Sequence, residues 1–138
     1  MSPRQVRLRG DRLAVTAGSK ITVHQISLSQ GSRLTHVVTG HTRDVLCLDL
    51  AGEVLVSGGL DTNVLVTRLG EDQESQLLHT LSGHKLKVRC VSVWGQHAVT
   101  GSWDRTAILW DLITGSLLRT IKHEMQVVEK KTTKNCTF

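Results

Sequence analysis

The stretch that decides the fold is GHKLKVRCVSVWGQHAVTGSWDRTAILWD, at residues 83–111. An earlier stretch, GHTRDVLCLDLAGEVLVSGGLDTNVLVTR at residues 40–68, has the same layout and aligns with it without a gap. The Gly-His pair recurs after 43 residues, and each His is followed by a turn Asp at the same distance. A fixed period of this length indicates a repeat protein in which each unit packs against the next.

Within each copy, short runs of Val, Leu and Ile alternate with turn clusters of Gly, Asp, Asn and Ser about every ten residues. This pattern predicts strands at 44–50, 53–57, 63–69 and 76–81, and again at 87–94, 96–100, 106–112 and 116–121. A partial copy precedes them, with strands at 13–18, 20–26 and 33–38, and its turn is shortened and lacks Asp. No segment has a sustained helical period, so the sequence predicts an all-β protein.

The period, the Gly-His pair, the turn Asp and Trp110-Asp111 resemble the WD40-repeat family over residues 13–121. The resemblance implies a partial β-propeller of about three four-stranded antiparallel blades, at about 12–38 (degenerate), 40–81 and 83–121. Residues 1–11 are then a basic N-terminal segment. Residues 122–138 are a polar tail, which we expect to be disordered because it cannot bury enough apolar surface.

The resemblance also implies a buried hydrogen-bonded tetrad in each complete blade. By motif position its members are His84, Thr100, Asp104 and Trp110 in the last copy. The earlier copy keeps His41, Ser57 and Asp61 but has Thr67 in place of Trp, and the partial copy has His24 there. Because a fully paired polar network fixes one geometry, we expect the earlier blade to be less rigid.

Ser or Thr, His and Asp are also the residue types of a hydrolase triad. Here each copy has its own set at the structural spacing, so we expect them to be buried and we expect no catalysis. No two of the seven His have the spacing of metal ligands. Gly58-Gly59 precedes a turn between strands with no helix after it, so it does not match a phosphate loop. We expect no metal and no cofactor.

The charge and composition of the chain limit the kinds of partner that we expect. The net charge is +5, but no basic run reaches the five to eight residues typical of a nucleic-acid patch. No apolar run reaches the ~20 residues that a membrane helix needs, and residues 1–9 lack the apolar core of a signal peptide. The three cysteines form no Cys-x-x-Cys pair, which favours reduced thiols. We therefore expect an intracellular protein, cytoplasmic or nuclear, that binds protein partners.

Propellers of this family bind partners on the rim formed by the loops before the first strand and between the second and third. The candidate partner-binding residues are Arg43, Leu60, Lys87 and Trp103 in these loops, and Arg89 in the first strand of the last copy. The segments VTGSWDRT, LLRTIKH and VRCV are similar to the F-box/WD40 substrate receptors of ubiquitin ligases. In the members that bind phosphorylated peptides an Arg at the position of Arg89 contacts phosphate, whereas the earlier copy has Leu46 there.

Three blades are too few to close a ring of the ~4–8 blades that propellers use. Three alternatives remain open: a truncated or alternatively spliced product of a longer propeller, a ring completed by oligomerisation or further blades, and a structural fragment without independent binding. The sequence thus predicts a protein-interaction scaffold or adaptor.

Overall fold

The computed structural model of the chain describes residues 5–123 and the two short strands Val128–Glu129 and Cys136–Thr137, which pair antiparallel. The other residues of the predicted polar tail lie outside the described residues, so its expected disorder stays a prediction. The residues between 5 and 123 contain no helix.

Three four-stranded antiparallel sheets follow one another along the chain, each in simple up-and-down order. The first sheet consists of β1 (Val6–Arg9), β2 (Arg12–Ala17), β3 (Lys20–Ser27) and β4 (Gly31–Val38). The second consists of β5 (Val45–Ala51), β6 (Val54–Gly59), β7 (Val64–Leu69) and β8 (Ser75–Leu81). The third consists of β9 (Val88–Trp94), β10 (His97–Ser102), β11 (Thr106–Asp111) and β12 (Leu117–Lys122). This arrangement confirms the prediction of an all-β partial propeller with three blades.

The first blade has a strand that the sequence did not indicate. β1 lies inside the segment assigned to residues 1–11 and pairs with β2 from Val6↔Val15 to Arg9↔Arg12. No Gly-His pair precedes β1, and half of its residues are Arg, so it has neither the repeat motif nor the apolar run that indicates the other strands. The first blade is therefore complete in strand number, although its turn remains degenerate.

Two hydrophobic cores hold the blades together, and each lies between two sheets. The core between blades 1 and 2 contains Ile21, Val23 and Leu55, and the core between blades 2 and 3 contains Val56 and Trp110, among others. Leu55 and Val56 are neighbours in β6 and point to opposite faces, yet both have no exposed surface. The central blade is thus covered on both faces, which explains why β5 and β6 are buried along almost their whole length without alternation.

A polar contact between blades also repeats with the period of the sequence. His36 in β4 lies with Nε2 2.9 Å from the carbonyl oxygen of Gly70, and His79 in β8 lies at the same distance from that of Ile113. A Cβ on Gly115 would come within 2.7 Å of the His79 ring, and Gly115 has a φ of +72°. The turn after β11 can therefore approach His79 only because it carries Gly here.

The expectation of reduced thiols is wrong for Cys90, which is disulfide-bonded. Sequence spacing could not show this, because a disulfide depends on the distance between Cα atoms in the folded chain. Cys47 is a buried thiol whose Sγ lies 3.7 Å from the carbonyl oxygens of Gly58 and Val88. It fills the core between blades 2 and 3.

Candidate functional site

The structure brings His84, Thr100, Asp104 and Trp110 into one hydrogen-bonded chain. Nδ1 of His84 lies 2.9 Å from Oδ2 of Asp104, and Nε2 lies 2.7 Å from Oγ1 of Thr100. The indole N–H of Trp110 donates to the same Thr100 oxygen at 2.8 Å. Since the carboxylate can only accept, His84 donates from Nδ1 and accepts the Thr100 proton at Nε2. The ring nitrogens of His84, the Thr100 hydroxyl and the indole N–H of Trp110 therefore all have hydrogen-bond partners.

The carboxylate of Asp104 has two donors at each oxygen. Oδ2 accepts from His84 and from the backbone N–H of Lys85 at 3.0 Å, and Oδ1 accepts from the N–H and the hydroxyl of Thr106 at 2.9 and 2.5 Å. Burial by itself raises the pKa of Asp104, but the hydrogen bonds from Thr106, Lys85 and His84 outweigh it, so the pKa lies below its ordinary value. The fold thus favours the ionised carboxylate.

This lowered pKa predicts an acid-sensitive contribution of Asp104 to stability. A group whose pKa falls on folding stabilises the protein above its unfolded pKa, about 3.9 for Asp, and loses that contribution as the pH falls through the folded value. The Asp104→Asn variant should therefore be less stable than the parent above about pH 4, and the gap should narrow below it. Thermal melts of both proteins between pH 7 and pH 2 measure the gap. A gap that does not change with pH would contradict this assignment.

In blade 2 the corresponding chain stops after three residues. Nδ1 of His41 lies 2.9 Å from Oδ2 of Asp61, and Nε2 lies 2.9 Å from Oγ of Ser57. Thr67 occupies the position of Trp110, is 2% exposed, and its hydroxyl has no hydrogen-bond partner within the described residues. The structure therefore places His41, Ser57 and Asp61 together and leaves Thr67 outside their network.

Both networks have the connectivity of a hydrolase triad but not its accessibility. Ser57 is 1% exposed and Thr100 is fully buried. A nucleophile must reach a substrate carbonyl, and these hydroxyls face the protein interior. Their geometry supports a structural role, in which paired polar groups fix the path of the chain before each blade.

The turns that complete these networks are strained at equivalent positions. Thr62 and Arg105 follow Asp61 and Asp104, and their φ angles are +69° and +70°. Each Asp accepts a hydrogen bond from the backbone N–H two residues later, at Asn63 and at Thr106. These hydrogen bonds hold the turn in its positive-φ conformation. A β-branched residue rarely adopts such a φ. The networks thus hold the loops between the second and third strands in one shape at the rim.

Trp103 and Lys87 form a contact on this rim. The Nζ atom of Lys87 lies 3.6 Å from the centroid of the Trp103 ring, which is a cation–π geometry. Both side chains are half-buried, and the indole N–H of Trp103 has no hydrogen-bond partner among the described residues. Leu60, the equivalent of Trp103 in blade 2, is also half-buried, and Arg43 is exposed.

Arg89 lies at a β-bulge. Gly101 pairs with Cys90 and Ser102 pairs with Val88, so Arg89 is the extra residue of β9. Leu46 is the extra residue of β5 in the same way, between Val45 and Cys47. Bulges redirect a side chain, and they occur often next to functional sites. Arg89 is half-buried, and its Nε has no hydrogen-bond partner within the described part of the chain.

One buried acid that sequence reasoning missed connects all three blades. Asp49 of β5 is 1% exposed and accepts from Nη2 of Arg9 at 3.1 Å and from the backbone N–H of Val93 at 2.8 Å. Nε of Arg7 lies 3.4 Å away from it. No repeat signal could have revealed Asp49, because the equivalent residue one period later is Ser92. The 43-residue spacing of His36 and His79 was visible in the sequence and could have indicated the contacts between blades.

No group of three or more His, Cys, Asp or Glu side chains that could hold a metal ion occurs where the structure is described. Among those residues there is also no helix with the length and apolar character needed to cross a membrane.

The profile of the family described as WD domain, G-beta repeat matches residues 32–67 and 75–111, just over half of the chain. Each match starts in the outer strand of one blade and ends in the third strand of the next. The chain therefore belongs to the WD40-repeat family, whose members are generally scaffolds without enzymatic activity. A comparison with the curated proteins found no match to this chain.

Proposed function

We propose that this chain is a protein-interaction scaffold that binds its partner at the rim of blades 2 and 3. The observation that carries the proposal is Trp103, held against Lys87 at the rim with an N–H that the described residues leave unsatisfied. Trp is enriched at binding hot spots because it buries a large area and supplies a donor. Neither residue belongs to the hydrogen-bonded networks of His41 and His84.

A finer form of the proposal is substrate recognition for a ubiquitin ligase, with a phosphorylated peptide as the partner. It rests on the resemblance to the F-box/WD40 receptors and on the bulge that presents Arg89. A guanidinium binds phosphate through two parallel hydrogen bonds, and the half-buried Arg89 has a buried Nε without a partner among the described residues. Arg89→Ala should abolish capture of phosphopeptides from a mixed pool, and equal capture by the variant would remove this form of the proposal.

The general proposal predicts that Trp103 contributes to partner binding and that Trp94 does not. Trp94 is 85% exposed at the end of β9, at the opposite end of the blade from the β10–β11 turn that carries Trp103, which makes it a matched control. Trp103→Ala should weaken partner binding by about 2 kcal/mol or more, a factor of about 30, whereas Trp94→Ala should leave it unchanged. Quantitative affinity capture from cell extract with both variants measures this. Equal loss, or no loss, in the two variants would contradict a binding site at the rim.

The alternative is a structural unit without binding of its own, or one that needs oligomerisation or further blades before it can bind. Circular dichroism and a thermal melt of the purified chain separate it from the scaffold. A cooperative melt of a β-rich protein supports an independent scaffold. The absence of any β signal or transition would favour the alternative.

A further inference from the structure

A cleft of about 470 Å³ lies beside the turn between β10 and β11 in blade 3, and its charged side chains are mostly cationic. Lys85, Arg105 and Lys122 line it, together with Asp104 and Thr120. All three cations are exposed, and their side chains form no ion pair or hydrogen bond in the part of the chain that the structure describes. Their charges are therefore available to a ligand.

Backbone contacts bring the three cations to this one turn. The N–H of Lys85 donates to Asp104, and Lys122 is the cross-strand partner of Thr106, next to Arg105. The N–H of His123 donates to the carbonyl of Arg105 at 2.7 Å, which ties the end of β12 to the turn. The positions of the three residues are thus fixed by the fold, although their side chains are not.

Asp104, the one acid that the described residues place in the cleft, does not balance the three cations. Both oxygens of Asp104 already accept two hydrogen bonds each, from His84, Lys85 and Thr106. An ionised carboxylate has about four acceptor positions, and all of them are used here. The carboxylate keeps its negative charge but has no acceptor position left for these side chains, so the described residues of the cleft place three cations against one anion.

The repeat itself shows that the fold does not need these charges. In blade 2, Lys85 and Arg105 correspond to Thr42 and Thr62 one period earlier, and by strand pairing Lys122 corresponds to Ser82. Blade 2 forms the same turn, with the same φ at Thr62, without any of the three cations. Like charges placed close together do not stabilise a fold, so these residues need another explanation.

We propose that this cleft binds a phosphate group carried by a partner protein, at a site separate from Arg89. The proposal rests on the proposed function in taking the partner to be a protein. Two ammonium groups and a guanidinium around one turn suit a doubly charged tetrahedral anion, because each can donate a charge-assisted hydrogen bond. Thr120, whose hydroxyl can also donate, lines the same cleft.

The test is a titration of the full chain with inorganic phosphate, followed by ¹H–¹⁵N NMR at constant ionic strength against chloride. Saturable shifts are expected at the amides of Lys85, Arg105 and Thr106, and not at Thr42 or Thr62. A K85Q/R105Q/K122Q variant should bind phosphate about tenfold more weakly or worse, a loss of about 1.4 kcal/mol. Equal shifts in both turns, or unchanged affinity in the variant, would overturn the proposal.

A matched control removes the same charge elsewhere. Lys20, Arg33 and Arg119 are exposed and lie outside the cleft. A K20Q/R33Q/R119Q variant therefore has the same net charge as the cleft variant, but it should bind phosphate like the parent. An equal loss in this control would assign the effect to overall charge and refute the site. If the cleft variant does not give a folded spectrum, the single variants Lys85→Gln and Lys122→Gln provide the same comparison.

Two further arms identify the source of the phosphate. A phosphoserine peptide should displace inorganic phosphate, and its unphosphorylated form should not. Stronger displacement by a polyuridylate oligonucleotide would overturn the assignment to a protein partner. Because the titration uses no partner, its failure leaves the Trp103 comparison intact, and failure of that comparison leaves the titration interpretable.

Discussion

Trp110→Ala is expected to lower the free energy of unfolding by about 3–5 kcal/mol, the usual cost of deleting a buried Trp side chain. Trp110 is 1% exposed and packs edge-on against His84, with ring centroids 6.5 Å apart. A Cβ on Gly83 would lie 3.0 Å from its ring, so the chain before the blade fits closely around it. The substitution also removes the donor to Thr100, so the loss should be at the upper end of that range. Urea unfolding followed by far-UV circular dichroism measures it.

The same position in blade 2 supplies the control. Thr67 is equally buried, but its hydroxyl has no hydrogen-bond partner among the described residues. Thr67→Ala should change the stability by less than about 1 kcal/mol, because it deletes a buried polar atom that gains nothing from the fold. Similar losses in both variants would show that the hydrogen-bonded network is not what distinguishes blade 3 from blade 2.

The sequence predicted most of the fold because the repeat carries it. The strands predicted at 87–94 and 106–112 are Val88–Trp94 and Thr106–Asp111 in the structure. His84 and Asp104, predicted as partners from their spacing in the repeat, are hydrogen-bonded to each other. β1 was missed because half of it is Arg, and the ion pairs of Arg7 and Arg9 with Asp49 join residues about 40 positions apart in the chain. Contacts of this kind have no local signal.

The candidate site was predictable by residue type more than by geometry. Arg89 and Trp103 stood out in the sequence, but the bulge at Arg89 and the stacking of Lys87 on Trp103 depend on strand register. The cationic cleft depends on the pairing of β11 with β12, which brings Lys122 beside Arg105. Residues 17 positions apart cannot be grouped without that pairing.

Asp49→Ala is expected to lower the free energy of unfolding by about 3 kcal/mol. Breaking a buried ion pair typically costs about 3–5 kcal/mol, and the lower end applies because the side chains of Arg7 and Arg9 are 22% and 52% exposed and can regain water. The N–H of Val93 also loses its acceptor. Chemical denaturation measures the change, and the control is Ser92→Ala, at the exposed equivalent of Asp49 in blade 3, which should shift stability by less than about 0.5 kcal/mol.

The loss at Asp49 should also have a recognisable pattern along the chain. Because Asp49 joins β1 and β9 to β5, its removal should increase amide hydrogen exchange in Val6–Arg9 and at Val93 more than in the outer strands Gly31–Val38 and Leu117–Lys122. A double-mutant cycle with Arg9→Ala should give a coupling energy of about 0.5–3 kcal/mol. A uniform increase in amide hydrogen exchange, or additive stability losses in the cycle, would mean that Asp49 stabilises only its own strand. The apolar cores alone would then align blades 2 and 3 and the rim that these blades form.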